Sequence, residues 1–117
     1  MQASICGCVL ALTACATLPP PTGELNAARQ AVARADDADA DQYAGADLAR
    51  ARGLLSQAQS AMAEGREQDA RDLALRAAAA GDLAHARSRE AASVAELEQR
   101  RAEIADLRQR LRMEDSP

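Results

Sequence analysis

The sequence lacks the large aromatic side chains. It contains no Phe, no Trp and a single Tyr, Tyr43. Aromatic residues normally contribute much of the energy of a core, and here most of the 48% apolar residues are Ala. We therefore expect one domain with a thin core of Ala, Leu, Val and Met. A chain of 117 residues with such a core is marginally stable, which favours self-association or docking on a partner.

Lys is also absent, so all 14 basic residues are Arg, and the formal net charge is −4. This mild negative charge predicts no nucleic-acid partner. The cysteines are confined to the N-terminus, at Cys6, Cys8 and Cys15. A disulfide framework or a zinc site needs cysteines or histidines in the rest of the chain. We expect no metal site and no other cofactor.

Catalytic and cofactor-binding motifs are missing as well. The sequence has no phosphate loop, nucleophile elbow or metal-ligand cluster, so we expect no enzymatic activity and no catalytic residues. The single histidine, His85, has no nucleophile nearby in sequence and is interpreted as a surface residue. The run Asp37-x-Asp39-x-Asp41 matches the start of a calcium loop, but position twelve holds Leu48 instead of Glu, which favours a solvated turn.

The N-terminus has features that predict an export signal. Residues 1–18 are uncharged, and an apolar run within them leads into Leu12-Thr13-Ala14-Cys15. An apolar stretch of about 7–15 residues is typical of a secretory signal and is too short to span a membrane. The tetrapeptide resembles the lipobox of bacterial lipoprotein precursors, in which the Cys receives a diacylglycerol and the peptide is cut before it. The resemblance implies that residues 1–14 are a signal peptide and that Cys15 is lipidated.

Two further observations bear on this export signal. No Lys or Arg precedes the apolar run, although export signals carry a positive n-region. An uncleaved short anchor and a chance apolar start are the alternatives. Ala16 follows the Cys, and in the lipoproteins that this segment resembles, an Asp at that place favours retention in the inner membrane. Its absence predicts a lipid anchor in the outer membrane, on the periplasmic face.

The remaining chain divides into a tether and a helical domain. Residues 15–22 contain the lipidated Cys and three successive prolines, which form a stiff spacer. Residues 23–112 form the domain, with helices predicted at 23–38, 45–64 and 67–112 from the spacing of apolar residues. Thr22 is the predicted N-cap of the first helix and Gly65 the predicted left-handed cap of the second. The predicted apolar stripes consist of Leu25, Ala28, Val32 and Ala35; Leu48, Ala51, Leu55, Ala58 and Met62; and Ala70, Leu73, Ala77, Ala80 and Ala84.

These helices predict an all-α fold, a three-helix antiparallel arrangement with a long C-terminal helix. Small residues at Ala58, Gly65, Ala70 and Ala77 have the spacing of one tetratricopeptide-like hairpin, with a generic Ala-rich hairpin as the alternative.

The regular spacing of apolar residues in the last helix is interrupted after Val94, because the next large apolar residue, Leu97, follows three residues later and begins a new stripe. Beyond this point, the helix is dense in Glu and Arg. We expect a protruding helix or a weak coiled coil there, able to form a homo-oligomer. The new stripe consists of Leu97, Ile104, Leu107 and Leu111.

From Pro19 to about Arg101 the chain resembles the bacterial lipoproteins defined by domain of unknown function 4398. The residues that carry the resemblance are Leu25–Ala28, Ala38–Ala44, Asp47–Ala51, Leu54-Leu55, Ala58, Gly65 and Ala70–Ala77. Members are often encoded beside, or fused to, OmpA-like peptidoglycan-binding domains. The resemblance therefore implies a role in the cell envelope and an OmpA-like or other envelope protein as partner, and it supplies no catalytic residues.

Together these features predict a periplasm-facing, membrane-anchored lipoprotein that acts as a helical adaptor or envelope-structural module without catalysis. The alternative is a ligand-binding or accessory subunit of a secretion or transport assembly. A deep pocket with convergent polar groups would favour ligand binding. An exposed apolar stripe on a helix would favour the adaptor.

Overall fold

The computed structural model describes residues 18–115, which form four helices. These are α1 (Thr22–Asp37), α2 (Ala40–Tyr43), α3 (Gly45–Ala63) and α4 (Glu67–Glu114). No strand occurs in this part of the chain, and the predicted all-α fold with a long C-terminal helix is confirmed. Helix α4 has 48 residues and is about 72 Å long at about 1.5 Å per residue. The acidic segment between the first two long helices, expected as a turn, contains the short helix α2.

Left-handed residues lie in two of the three connections between the helices. Asp39, between α1 and α2, has a φ of 58°, and Gly65, after α3, has a φ of 74°. The N–H groups of Gly65 and Arg66 donate to the carbonyl oxygens of Met62 and Ala61 at 3.1 and 2.9 Å. This pair of bonds is a Schellman motif, so the predicted cap at Gly65 is confirmed.

The start of α1 differs from the prediction. Thr22 is the first helical residue rather than the N-cap, and its side chain makes no capping hydrogen bond. The N-cap is Pro21, whose carbonyl oxygen accepts from the N–H of Leu25 at 3.0 Å. Pro21 is also fully buried. The end of the proline segment is therefore part of the packed structure.

Ion pairs show that α1 and α4 run in the same direction. Near the start of both helices, Arg71 Nε donates to Glu24 Oε1 at 3.0 Å. Further along both, Arg34 Nη2 donates to Asp82 Oδ1 at 2.8 Å. Residue numbers therefore rise together along the two helices.

The contacts of α3 with α4 run the other way. Asp47, at the start of α3, accepts from Arg87 at 2.7 Å. Ala58, in the second half of α3, packs in the same cluster as Ala77, which lies ten residues before Arg87 in α4. Residue numbers therefore rise in α3 as they fall in α4. The turn at Gly65 and the chain entering at Pro19 consequently lie at the same end of the bundle.

The core between these helices is built mostly from Ala, with Leu25, Val32, Leu48 and Leu54 as its larger side chains. All four residues predicted for the stripe of the first helix are buried, as are Ala70, Ala77 and Ala84 in α4.

The predicted stripes of α3 and α4 were wrong in part, because Leu55 and Met62 in α3 and Leu73 and Ala80 in α4 are only partly buried. In α3, the buried positions include Leu54 and Ala61 instead. The other buried positions of α4 are Ala74 and Gly81, which lie between the predicted ones, and Ser88, which follows Ala84. Helix α4 packs against α1 and α3 at once, and contact with two helices rotates its buried face toward these smaller residues.

Gly81 marks the closest approach of α1 to α4. A Cβ atom placed there would lie 2.9 Å from the carbonyl carbon of Ala31 and 3.0 Å from the backbone nitrogen of Val32. Real Cβ atoms do not approach backbone atoms this closely, so the two helices pack backbone against backbone at this point. Glycine inside a helix costs about 1 kcal/mol relative to Ala, and the close packing explains its presence.

Ser88 is the last buried residue of α4. Its hydroxyl donates to the carbonyl oxygen of Ala38, directly after the end of α1. Ala91 and Ala92 are half-buried, and every residue from Ser93 to Asp115 is exposed. The packed part of α4 therefore ends about halfway along the helix.

Candidate functional site

The exposed second half of α4 is the main surface feature of the described chain. We call residues 93–115 the arm. The arm stays helical to Glu114, and its large apolar side chains are between 47% and 63% exposed. These side chains are Val94, Leu97, Ile104, Leu107, Leu111 and Met113. Contiguous exposed apolar residues of this kind mark an interaction surface.

The apolar side of the arm faces away from the bundle. At about 100° per residue, Leu97 lies about 180° around the helix from Ser88, and Leu111 lies about 140° from it. Helix α4 continues without interruption between these residues. The predicted shift in the spacing of apolar residues after Val94 therefore means that the apolar residues move to the other side of one continuous helix. The bundle does not cover the apolar stripe of the arm.

Charged side chains flank this stripe, and Arg100 lies within it, about 120° around α4 from Ser88. Arg110 pairs with Asp106 at 2.8 Å, and Arg100 lies 3.8 Å from Glu96. All four side chains are more than half exposed, so such pairs add little to stability. Their alternating sign keeps the helix solvated along the sides of the apolar stripe.

A groove at the opposite end of the bundle from Pro19 contains His85. It has a volume of about 360 Å³ and is lined by Arg34, Asp37, Ala38, His85 and Arg89. His85 is half-buried at the edge of this groove. Among residues 18–115, no three His, Cys, Asp or Glu side chains are grouped closely enough to hold a metal ion.

The end of the bundle that receives the proline segment is tied together by Arg71. Its guanidinium donates to Glu24 and to the carbonyl oxygen of Pro19. The pKa of the Glu24 carboxyl group is held below its usual value. The largest cause is a hydrogen bond from the backbone N–H of Glu24, and the second is the hydrogen bond from the Arg71 side chain. The chain therefore meets the bundle at a defined place at Pro19.

The predicted lipidation site and lipobox, Leu12-Thr13-Ala14-Cys15, lie outside the described residues. Within residues 18–115, none of the helices combines the length and the apolar character needed to cross a membrane.

Comparison with known proteins gives a family for this chain. The family described as "Domain of unknown function (DUF4398)" matches residues 23–100. The chain belongs to this family. The family assignment made from the sequence is therefore confirmed. Neither a curated protein nor a solved structure matches the chain.

The DUF4398 match corresponds closely to the packed structure. It begins at Gly23, in the first turn of α1, and ends at Arg100, within the arm. The buried residues from Leu25 to Ser88 all fall inside it. The family unit is therefore the bundle together with the first two turns of the arm, and the rest of the arm extends beyond the match.

Sequence reasoning missed the structural roles of Gly81 and Ser88 in this DUF4398 domain. A signal for both was present, because small residues recur in α4 at alternating intervals of four and three. The positions are Ala70, Ala74, Ala77, Gly81, Ala84 and Ser88. A glycine within such a row indicates close backbone contact.

Proposed function

We propose that this DUF4398 protein is a lipid-anchored protein on the periplasmic face of the outer membrane. It acts there as a helical adaptor or envelope-structural module without catalysis. Cys15 carries the lipid, and the arm makes the contact with the partner. The observation that carries the adaptor role is the exposed apolar stripe of the arm, on the side of α4 away from the bundle.

The distance between the proline segment and the end of the arm supports this arrangement. Pro19, four residues after Cys15, contacts Arg71 near the start of α4. Leu111 lies 40 residues further along the same helix, about 60 Å away at about 1.5 Å per residue. A lipid on Cys15 would hold the proline end of the bundle near the membrane. The arm would then extend from the opposite end of the bundle, where an envelope partner could bind it.

Within this adaptor, we propose that α3 and α4 pair as one tetratricopeptide-like hairpin in a three-helix antiparallel arrangement. Ala58 and Ala77 have no exposed surface and share one cluster, which supports close packing of the pair. The short connection at Gly65 supports a hairpin. A single repeat needs a neighbour to cover it, and α1 takes that place beside Gly81.

The partners that fit this function are the membrane, through the lipid, and an OmpA-like envelope protein or a second copy, through the arm. Nucleic acid is a poor fit, because six acidic residues outnumber the five arginines of the arm. An accessory ligand-binding subunit would use the His85 groove. Arg34, which lines that groove, is 51% exposed and already paired with Asp82. This exposure favours the adaptor over a site that must exclude water around its ligand.

The anchor is tested by changing the cysteine that would be acylated. In cells fed a fatty-acid analogue, Cys15→Ser should abolish labelling and leave an unprocessed precursor, because the modified thiol is gone. Cys8→Ser is the matched control: it lies in the segment that would be cleaved, so the mature chain should keep its label. Equal labelling of the parent chain and the Cys15 variant would contradict lipidation at this residue.

A further inference from the structure

We infer that the arm binds the arm of a second copy of this chain, with the two helices parallel and in register. This inference rests on the proposed adaptor function in one respect, that the arm is the contact surface. It does not depend on acylation of Cys15. The argument comes from the spacing of the apolar residues, the signs of the flanking charges and the side of α4 on which they lie.

The apolar residues of the arm define a heptad register. Leu97, Ile104 and Leu111 recur every seven residues and take position a, and Leu107 takes position d. In a parallel two-stranded coiled coil, a and d residues meet the same residues of the other helix. The other two d positions of the arm hold the charged, exposed residues Arg100 and Glu114. Arg100 points toward Glu96 on its own helix at 3.8 Å. Its charge can therefore stay at the edge of the pair, while its stem covers apolar surface.

The flanking charges complement one another across such a pair. Position g of one helix faces position e of the next heptad on the other helix, and charges at e and g set partner and orientation. Here g holds Glu96, Glu103 and Arg110, and e holds Arg101, Arg108 and Asp115. Each of the three g residues therefore faces a residue of opposite charge, five positions later on the second copy. Every one of these side chains is exposed. Glu96 and Arg110 make exposed ion pairs within their own helix, and such pairs are weak enough to exchange for a pair across the seam.

Other arrangements lose this complementarity. In an antiparallel pair, g faces g and e faces e. With Leu97 opposite Leu107, Glu103 meets its own copy and Arg101 meets its own copy. A shift by one heptad sets Glu103 against Arg110 but places Arg101 against Arg108. Like charges placed opposite each other disfavour a pairing. A parallel register with Leu97 at d would place Arg101 and Arg108 in the a positions of the seam. The charge pattern therefore favours the parallel pair with Leu97 at a.

The bundle leaves room for the second copy. Leu97 lies about 180° around α4 from Ser88, which faces α1. The same side of α4 continues backwards to Leu83, which occupies an a position and is 41% exposed although it lies beside the packed helices. Glu90, between them, is a polar residue at a, and such residues lower the stability of a coiled coil. The expected dimer is consequently weak and concentration-dependent.

Cysteine crosslinking of the full chain tests the geometry. Cys6, Cys8 and Cys15 are replaced by Ser, so that the result does not depend on export or acylation. Ile104→Cys then places a thiol in the seam, where it meets the same thiol of the second copy. Gln109→Cys, in the same background, places it at position f on the far side of the arm. Under mild oxidation of the purified protein, only the Ile104 variant should form a disulfide-linked dimer.

Charge reversal tests the register. In the Ile104→Cys background, Glu103→Arg sets Arg against Arg108 of the second copy and should reduce the crosslinked fraction by about twofold to tenfold. Adding Arg108→Glu should restore it, because the pair is again of opposite sign. Circular dichroism of each variant checks that the helix content is unchanged.

Three results would overturn the inference: no crosslinked dimer, equal crosslinking at Ile104 and Gln109, or no restoration by the second charge change. Each of them leaves the acylation test of Cys15 unaffected. A failure of the arm pairing and a failure of the lipid anchor can therefore be distinguished.

Discussion

Two glycines inside helices of this protein have opposite surroundings. Gly81 in α4 faces the backbone of α1, with Ala31 and Val32 within 3.0 Å of where a Cβ would stand. Gly53 in α3 has no atom within 4 Å of such a Cβ. Both glycines reduce helix propensity by about 1 kcal/mol relative to Ala. Only Gly81 gains a close helix contact in return.

The same substitution should therefore have opposite effects at the two positions. Gly81→Ala should lower the free energy of unfolding by about 1–2 kcal/mol, because overpacking typically costs about 1–3 kcal/mol and the gain in helix propensity offsets part of it. Gly53→Ala should raise it by about 0.5–1 kcal/mol. Chemical unfolding followed by circular dichroism measures both. A Gly81→Ala protein as stable as Gly53→Ala would mean that α1 and α4 are not in backbone contact.

At the scale of the helices, the Glu24–Arg71 ion pair links the first turn of α1 to the start of α4. Arg71 is 14% exposed and Glu24 33% exposed, and no other ion pair within residues 18–115 shields both of its side chains this well. The lowered pKa of Glu24 means that the folded protein favours its charged form. A carboxyl group of this kind stabilises the fold above its unfolded pKa, and the contribution is lost as the pH falls through the lowered folded value.

The stability contributed by the charge of Glu24 should therefore decrease as the pH falls. Glu24→Gln should lower the melting temperature at neutral pH, since the charged hydrogen bond to Arg71 is lost. The difference from the parent chain should shrink as the pH falls below about 4, the usual range for Glu, because the parent then loses the same charge. Glu98→Gln, on the exposed arm, should leave the melting of the bundle unchanged at every pH. A Glu24 effect that is constant from neutral to acid pH would show that the charge of Glu24 is not the source of the stabilisation.

For the whole molecule, the structure separates a packed bundle from an exposed arm. The last fully buried residue is Ser88, and Val94 is already 50% exposed. Truncation after Val94 should therefore remove helix content without removing core, and the bundle should keep its cooperative melting transition within a few degrees. Circular dichroism at increasing temperature tests this. Loss of the cooperative transition would mean that the arm contributes to the core.

The amino-acid sequence by itself determined where the helices form. Periodic apolar residues and Gly65 are local features, and they placed three long helices close to the ranges now seen for α1, α3 and α4. The buried stripe of α1 and the family were also predictable, because both depend on patterns of residue types. The signal peptide and the lipid at Cys15 stay predictions, since they depend on a segment outside the described residues.

Only the tertiary structure decided which residues of α4 face the bundle. Ala fills most of this helix, so several stripes of small residues were almost equally apolar in sequence, and spacing alone favoured Leu73 and Ala80 over Gly81 and Ser88. The choice depends on where α1 crosses α4, because a backbone can approach closely only at a residue without a large side chain. The exposure of the arm has the same origin. Helices α1 and α3 are both much shorter than α4, and they leave its second half without a neighbour in this chain.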